Sequence, residues 1–115
     1  MLIKRKEMKT EVKEKMRGGE GAAELVCLVD CENEKNIRLL AEITLQPGCS
    51  IGNHSHEAET EYFVILSGEG MVNDNGIEKP VKAGDAVITG NGASHSICNN
   101  GSAPLVFHAI IVTYT

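Results

Sequence analysis

Four side chains with metal-binding chemistry stand at short intervals in the middle of the sequence. His54 and His56 are separated by one residue, and Glu61 and His95 follow further along the chain. Side chains two residues apart on a strand point to the same face, so the two histidines should project together. Three imidazoles and one carboxylate form a ligand set that suits Mn, Fe, Co, Ni, Cu or Zn. The residue types therefore predict a site for one divalent transition metal.

Three glutamates alternate directly after the histidines, at Glu57, Glu59 and Glu61. After a short turn, Glu61 would share one strand face with Phe63 and Ile65. A charged residue that leads an apolar inward face is costly to bury without a partner, and a metal ion supplies that partner. Glu61 is therefore the expected ligand, whereas Glu57 and Glu59 are expected to be solvated loop carboxylates.

The elements that must position these residues are predicted to be short β-strands. Strand length and β-branched content recur in the segments 25–29, 37–45, 61–67, 86–89 and 105–112. Asn75-Gly76 is a preferred pair for a two-residue turn, so residues 69–82 should form a hairpin. Many short strands at this spacing predict an all-β antiparallel sandwich or barrel.

The spacing of two segments resembles the two sequence motifs of the cupin family. The first motif comprises Gly48, His54, His56, Glu61 and Gly68, and the second comprises Gly84, Gly90, Gly92, His95 and Asn99. One departure is Gly90, which stands where the family usually has proline and is expected to leave the turn before His95 looser. The lead-in RGGEG, the segment ITLQPG and the DNG turn also resemble small single-domain bacterial cupins of the oxalate-decarboxylase-like subgroup.

This resemblance implies a double-stranded β-helix, or jelly-roll barrel, with the metal inside one mouth. Carried over position by position, the metal ligands would be His54, His56, Glu61 and His95, holding one Mn, Fe, Ni, Cu or Zn ion per chain. The family also implies a small-molecule ligand in the barrel and a homodimer. Asn99 would then either hydrogen-bond near His95 or form a turn, and His108 would be a satisfied or surface residue unless it lines the pocket.

Charge is distributed unevenly along the chain. The formal net charge is −5, yet residues 1–17 hold seven Lys and Arg against three Glu. The acidic remainder makes nucleic acid an unsuitable partner. We expect residues 1–20 to form a solvated arm, partly helical or extended, and residues 21–115 to form the barrel domain.

Location and thiol chemistry follow from the same sequence. No segment reaches the eighteen or so apolar residues that a membrane span needs, and the start of the chain does not resemble a signal peptide. A cytoplasmic protein without a membrane partner is therefore expected. The four cysteines do not have zinc-site spacing, so buried free thiols are expected at Cys27, Cys31, Cys49 and Cys98.

The composition of the chain narrows the range of expected substrates. The chain has only two Tyr and two Phe, which argues against sugar stacking, and few cations beyond the arm, which argues against phosphorylated substrates. The residues expected to line the pocket, Phe63, Ile65 and Ile97, predict a small cavity with few polar anchors. A small organic acid held mainly by the metal fits best.

A metal with open positions can act as a Lewis acid, activate water or handle dioxygen. The favoured hypothesis is a mononuclear metalloenzyme that acts on a small organic acid or similar oxygen-rich molecule by decarboxylase-like or dioxygenase-like chemistry. No catalytic acid or base can be named from the sequence, so a non-catalytic module that binds a small ligand or metal is the alternative. A barrel in which the histidines bind no metal is the third hypothesis.

Overall fold

The structure, a computed structural model, describes residues 1–115 in full and consists mainly of β-strands. The ten strands are β1 (Lys9–Glu14), β2 (Ala22–Cys27), β3 (Ile37–Leu45), β4 (Ser50–Ser55), β5 (Glu59–Ser67), β6 (Glu69–Asp74), β7 (Ile77–Lys82), β8 (Ala86–Gly90), β9 (Ser94–Cys98) and β10 (Leu105–Thr113). Single-turn 3-10 helices occupy Arg5–Glu7, Met16–Gly18 and Cys31–Asn33. No helix has the length and apolar character needed to cross a bilayer.

Two antiparallel sheets form the barrel. One has six strands in the order β1-β2-β3-β10-β5-β8, and the other has four in the order β4-β9-β6-β7. Their inner faces meet in one core of alternating residues from both sheets, which includes Ile43, Phe63, Ile97 and Phe107. The all-β jelly-roll prediction is confirmed. Alternation explains the core, since every second side chain of a strand faces inward.

The predicted hairpin is confirmed with its expected register. Strands β6 and β7 pair from Glu69 with Lys82 to Asp74 with Ile77, which leaves only Asn75 and Gly76 in the turn. Both turn residues have positive φ, at 50° and 98°. An Asn-Gly pair adopts that conformation at little steric cost, and it matches the twist of the flanking strands.

The N-terminal segment, for which a partly helical or extended arm was expected, forms a strand over Lys9–Glu14. Strand β1 pairs antiparallel with β2 from Lys9–Cys27 to Glu14–Ala22, which makes it an edge of the six-stranded sheet. Its backbone therefore gains hydrogen-bond partners across the sheet, whereas an isolated short helix in water is only marginally stable. The division of the chain into an arm and a barrel at residue 20 stays a prediction.

A tight turn follows β1 and packs against β4. Lys15 and Arg17 both have positive φ, at 49° and 55°, which is uncommon for residues with a Cβ. Gly19 and Gly52 lie back to back, so a Cβ at Gly52 would collide with the carbonyl oxygen of Arg17. Ser50 N also donates to the carbonyl oxygen of residue 20 at 2.9 Å. The turn is thus fixed against the strand that carries His54.

Two expectations about small residues require correction. The four cysteines are free, but they are only half-buried, because each lies near a sheet edge or a loop. Gly90 does not mark a loose turn: it ends β8, and a Cβ there would collide with Thr60 Oγ1, which is hydrogen-bonded to Tyr114 Oη at 2.7 Å. Glycine at this position leaves room for that pair, a reason that the motif alone does not reveal.

Candidate metal centre

Three strands bring the four predicted ligands to one end of the barrel. His54 lies on β4 directly opposite His95 on β9, and a register shift between Ile51 and His54 bends β4 at this point. His56 follows the end of β4, and Glu61 lies on β5 in the other sheet. The two sheets therefore contribute to one cluster between them.

The donor atoms of these residues converge. The Nε2 atom of His95 lies 3.1 Å from those of both His54 and His56, and 2.9 Å from Glu61 Oε1. Glu61 Oε1 is also 2.9 Å from His56 Nε2 and 3.8 Å from His54 Nε2. All four ligand atoms lie within 4.8 Å of one another. The predicted ligand set is therefore assembled, with one donor atom from each residue.

Each imidazole is oriented by a contact at its other nitrogen. His54 Nδ1 donates to the carbonyl oxygen of Gly52 at 2.7 Å, and His95 Nδ1 lies 2.9 Å from the hydroxyl of Thr89. His56 Nδ1 donates to Glu59 Oε2 at 2.6 Å. The Gly52 carbonyl and the Glu59 carboxylate hold a proton at Nδ1 of His54 and His56, so the Nε2 atoms of these two rings present lone pairs to the cluster. The Thr89 hydroxyl can accept from His95 Nδ1 in the same way.

Glu59 is not the solvated loop carboxylate that the sequence suggested. Its carboxylate accepts the His56 hydrogen bond and also a bidentate pair from Arg38, whose Nε and Nη2 lie 3.0 and 2.8 Å from its two oxygens. The pKa of Glu59 is lowered, mainly because of the hydrogen bond from Arg38. The effect of this hydrogen bond outweighs that of burial, which raises the pKa. Sequence reasoning missed Glu59, Arg38 and Thr89. The alternation of Glu59 with Glu61 was the one available signal.

The surroundings of Glu61 and His95 favour the protonation states in which these two side chains can bind a metal. Burial raises the pKa of the Glu61 carboxyl, but interactions with the imidazoles of His54 and His95 dominate and lower that pKa to about 2. Burial lowers the pKa of His95, against the opposing influence of Glu61. An ionised Glu61 carboxylate and a neutral His95 imidazole are the forms of these two side chains that bind metal.

The donor spacing fits one metal ion. Two ligands at about 2.1 Å from an ion and at right angles to each other are about 3.0 Å apart, close to four of the five donor separations given above. His56, Glu61 and His95 are buried and His54 is half-buried, and every buried side-chain nitrogen and oxygen of the chain has a partner. Three imidazoles and a carboxylate accept several transition metals, so the geometry does not select one.

Comparison with known proteins agrees with this geometry. The family model described as "Cupin domain" matches residues 41–112, a span that contains all four donors. The chain belongs to the cupin family. This cupin is 44% identical over 113 residues to a protein named "Oxalate-binding protein" from Thermotoga maritima, covering 97% of this chain and 93% of the relative.

Solved structures show the same fold. A crystal structure of a predicted oxalate decarboxylase from Thermotoga maritima superposes with a TM-score of 0.93 and 43% identity, over 98% of this cupin and 99% of that chain. A putative sugar phosphate isomerase from Acidithiobacillus ferrooxidans gives a TM-score of 0.80 and 27% identity, over 96% of this cupin and 74% of that chain. The resemblance to oxalate-decarboxylase-like cupins is thus confirmed.

A cavity of about 380 Å³ opens above the donor cluster. Its lining comprises Lys13, Met16, Arg17, Leu25, Arg38, Leu39, Ile43, Ile51, His54, His56, Glu61, Phe63 and Ile111. Of the predicted apolar lining residues, Phe63 is present, whereas Ile65 and Ile97 lie in the core. The expectation of few polar anchors is wrong, because three cations line this cavity. Two of them, Lys13 and Arg17, come from the segment that was expected to be solvated.

Two other polar residues are placed outside the cavity. Asn99 is buried and holds the loop after β9: its Nδ2 donates to the carbonyl oxygens of Leu45 and Ala103, each at 2.8 Å, and its Oδ1 accepts from Gly101 N. Of the two roles considered for Asn99, a hydrogen bond near His95 or a turn, the structure therefore shows the turn. His108 alternates with the buried Phe107 and Ala109 on β10, so it lies on the outer face of the sheet and does not line the pocket.

A second, larger cavity of about 620 Å³ lies between the N-terminal segment and strands β2 and β3. It shares Arg38 and Leu39 with the first cavity and is also lined by Cys27 and Cys31. The one group of potential metal ligands in the chain lies elsewhere, at His54, His56, Glu61 and His95. The potential metal ligands therefore do not line the larger cavity.

Proposed function

We propose that this cupin is a mononuclear metalloprotein that acts on a small organic acid or similar oxygen-rich molecule by decarboxylase-like or dioxygenase-like chemistry. The observation that carries the proposal is the convergence of three imidazole Nε2 atoms and one carboxylate oxygen beneath an open cavity. A bound transition metal would supply a Lewis acid and, for a redox-active ion, a site for dioxygen.

In this proposal, residues of the chain orient the imidazoles, limit the access of water and favour an anionic ligand. His54, His56 and His95 present their lone pairs because Gly52, Glu59 and Thr89 contact the opposite ring nitrogens. Apolar walls such as those of Ile51 and Phe63 limit water around the ligand. Cations in the lining favour a carboxylate over a neutral molecule of similar size.

The comparisons support the ligand class. The Thermotoga relative is named as oxalate-binding, and it matches nearly the whole of this chain. Oxalate, keto acids and similar molecules offer two oxygens to one metal, which suits a site with four protein ligands.

The test is a search for turnover by metal-loaded protein. Oxalate, short keto acids, thiols and phenols would be incubated with the protein with and without dioxygen, and products would be followed by mass spectrometry. Conversion of one compound that disappears in His56→Ala supports the enzyme. Unchanged substrates throughout would contradict it.

One observation favours a non-catalytic ligand-binding module as the second candidate. Apart from His54, His56 and Glu61, three of the proposed metal ligands, the ionisable residues that line the cavity are Lys13, Arg17 and Arg38. None of these last three is a carboxylate or imidazole suited to proton transfer near neutral pH. This candidate expects organic acids to raise the melting temperature without being converted. The same panel therefore separates the two candidates.

A homodimer and a cytoplasmic location complete the proposal. The outer face of the six-stranded sheet carries an apolar row across four strands, formed by Leu40, Ile110, Tyr62 and Ile88 in neighbouring register positions. An outer sheet face in water is usually polar, so a second copy of the chain is the proposed cover. Ile88→Glu should convert the dimer to monomer in light-scattering measurements, and an unchanged mass would contradict this interface.

Four free cysteines support a reducing compartment.

A further inference from the structure

The cavity has an uneven distribution of charge. Its lining includes three cations, Lys13, Arg17 and Arg38, and only one carboxylate, the metal ligand Glu61. This enrichment occurs in a chain whose formal net charge is −5. A bound divalent ion would make the cavity still more positive. The ligand-binding space is therefore electrostatically unlike the remainder of the protein.

The three cations differ in how they are held. Arg38 is fixed by its bidentate pair with Glu59, and Lys13 lies 3.9 Å from Glu11 at its nearest oxygen. Arg17 is exposed and makes no side-chain hydrogen bond or ion pair. Its guanidinium is thus free to meet a ligand, although its backbone is held in place.

The turn that carries Arg17 is built to stay at the cavity. Its residues Lys15 and Arg17 adopt left-handed backbone conformations, and Gly19 and Gly52 permit backbone contact with β4. Lys15 N donates to the carbonyl oxygen of Gly21 at 2.8 Å, which closes the turn. Residues other than glycine seldom adopt such conformations unless the surrounding structure enforces them.

The cavity is also larger than a two-carbon acid requires. At about 30 Å³ for each water-sized unit, 380 Å³ corresponds to roughly a dozen non-hydrogen atoms. Oxalate has six non-hydrogen atoms, and both of its carboxylates would be occupied at the metal. Arg17, which has no partner within the chain, would then be left without a partner in the ligand as well.

We propose that Arg17 and Lys13, with Arg38 beside them, bind a second anionic group of the ligand, beyond the oxygens that face the metal. The inference rests on the proposed function and makes it more specific: the ligand is a short organic acid with one chelating end and one further carboxylate. Arg17 is the main specificity-determining residue, because it is the cation without an internal partner. The segment before β2 thereby contributes to ligand selection.

The test compares two 2-oxo acids with the same chelating end. Pyruvate ends in a methyl group, whereas 2-oxoglutarate carries an additional carboxylate. Both would be titrated calorimetrically into the wild-type protein with its resident metal, at about 0.15 M salt, where exposed charges more than about 8 Å apart are largely screened. We expect 2-oxoglutarate to bind at least about tenfold more tightly than pyruvate, since one charge-assisted contact gives that order of effect.

Variants assign the preference to the turn. Arg17→Gln should reduce 2-oxoglutarate affinity by about three- to tenfold, with pyruvate affinity and metal content unchanged. Arg17→Lys should retain most of the preference, which distinguishes charge from a structural role. Lys15→Gln is the matched control, because it removes one positive charge from the same turn without changing a lining residue.

Three outcomes would overturn the inference. Equal affinity of the wild type for the two acids would show that the second carboxylate finds no partner. Equal losses in Arg17→Gln and Lys15→Gln would reduce the effect to net charge. If metal-loaded wild type binds pyruvate, 2-oxoglutarate and oxalate not at all, the proposed function fails and this inference fails with it.

Discussion

The floor and the mouth of the metal cavity are built in different ways. The floor, formed by His54, His56, Glu61 and His95, is largely buried, and each imidazole is held at both ring nitrogens. The mouth, formed by Lys13, Arg17 and Arg38, is exposed, and its cations come from separate segments of the chain. In the proposed function, a rigid floor would fix the metal geometry but offer little choice between acids. Selection between acids is therefore expected to depend on the mouth.

The largest expected effect comes from breaking the floor. His95→Ala removes one donor and the ring that stacks on Phe63 at 4.6 Å. Loss of a tightly bound ion should lower the free energy of unfolding by about 4 kcal/mol at a thousandfold excess of metal over its dissociation constant. Thermal unfolding with and without a chelator measures this effect. His108→Ala is the control, since His108 lies on the outer sheet face, and a similar loss in both variants would contradict a metal-specific role.

Glu59 joins the two regions, because its carboxylate contacts His56 in the floor and Arg38 in the mouth. Glu59→Gln should weaken metal binding by about 10- to 100-fold, as is common when the partner of a metal-bound histidine is altered. Competition with a chromophoric chelator measures the affinity. Glu57→Gln removes an equivalent charge from the same loop, so equal effects of the two variants would argue against a specific contact.

Gly52 sharpens the comparison because it contacts both regions: its Cα faces the backbone of Arg17, and its carbonyl oxygen accepts from His54 Nδ1. A Cβ there would collide with the backbone oxygen of Arg17, so Gly52→Ala should displace the turn. We expect a loss of about 1–3 kcal/mol in unfolding free energy and of selectivity for the longer acid, with metal still bound. Gly48 has a φ of 85°, and a Cβ there would meet no atom within 4 Å, so Gly48→Ala adds backbone strain away from the turn and controls for a general loss of stability. If Gly52→Ala kept the selectivity of the wild type, the position of the turn would not matter for ligand selection by the mouth.

The smallest effect concerns Arg5, a cation of the N-terminal segment that lies outside the mouth. Arg5 pairs with Glu42 through two hydrogen bonds of 2.9 Å, and these hydrogen bonds are the main cause of the lowered pKa of Glu42. Because the folded pKa is below the ordinary value of 4.5, the stabilisation is present above that pH and is lost as the pH falls through the folded pKa.

Arg5→Gln should therefore lower the melting temperature slightly at pH 7 and leave it unchanged at pH 2–3, with ligand affinity unaffected. Differential scanning calorimetry across this range is the measurement. A melting-temperature difference that persists at low pH would show that Arg5 acts through something other than the Glu42 carboxylate.

The floor could be predicted from the sequence, whereas the mouth could not. The ligands lie within or next to strands whose alternation fixes their direction, so the spacing of His54, His56 and Glu61 carries the geometry. Arg17 and Lys13 reach the cavity only because strand β1 joins the sheet and the following turn packs on β4, contacts between distant segments. Glu59 was misjudged for the same reason, since its partner Arg38 comes from another strand.

The most direct test of the central claim is elemental analysis of untagged protein that has been purified without chelators or a nickel column. The convergence of four donor atoms predicts about one transition-metal ion per chain in the wild type and a loss of that ion in His56→Ala. Manganese, iron, nickel or copper would favour the enzyme, and zinc would shift weight toward hydrolytic, isomerising or structural roles. Wild-type protein with no more metal than His56→Ala, before and after incubation with these ions, would contradict the metal site on which the account rests.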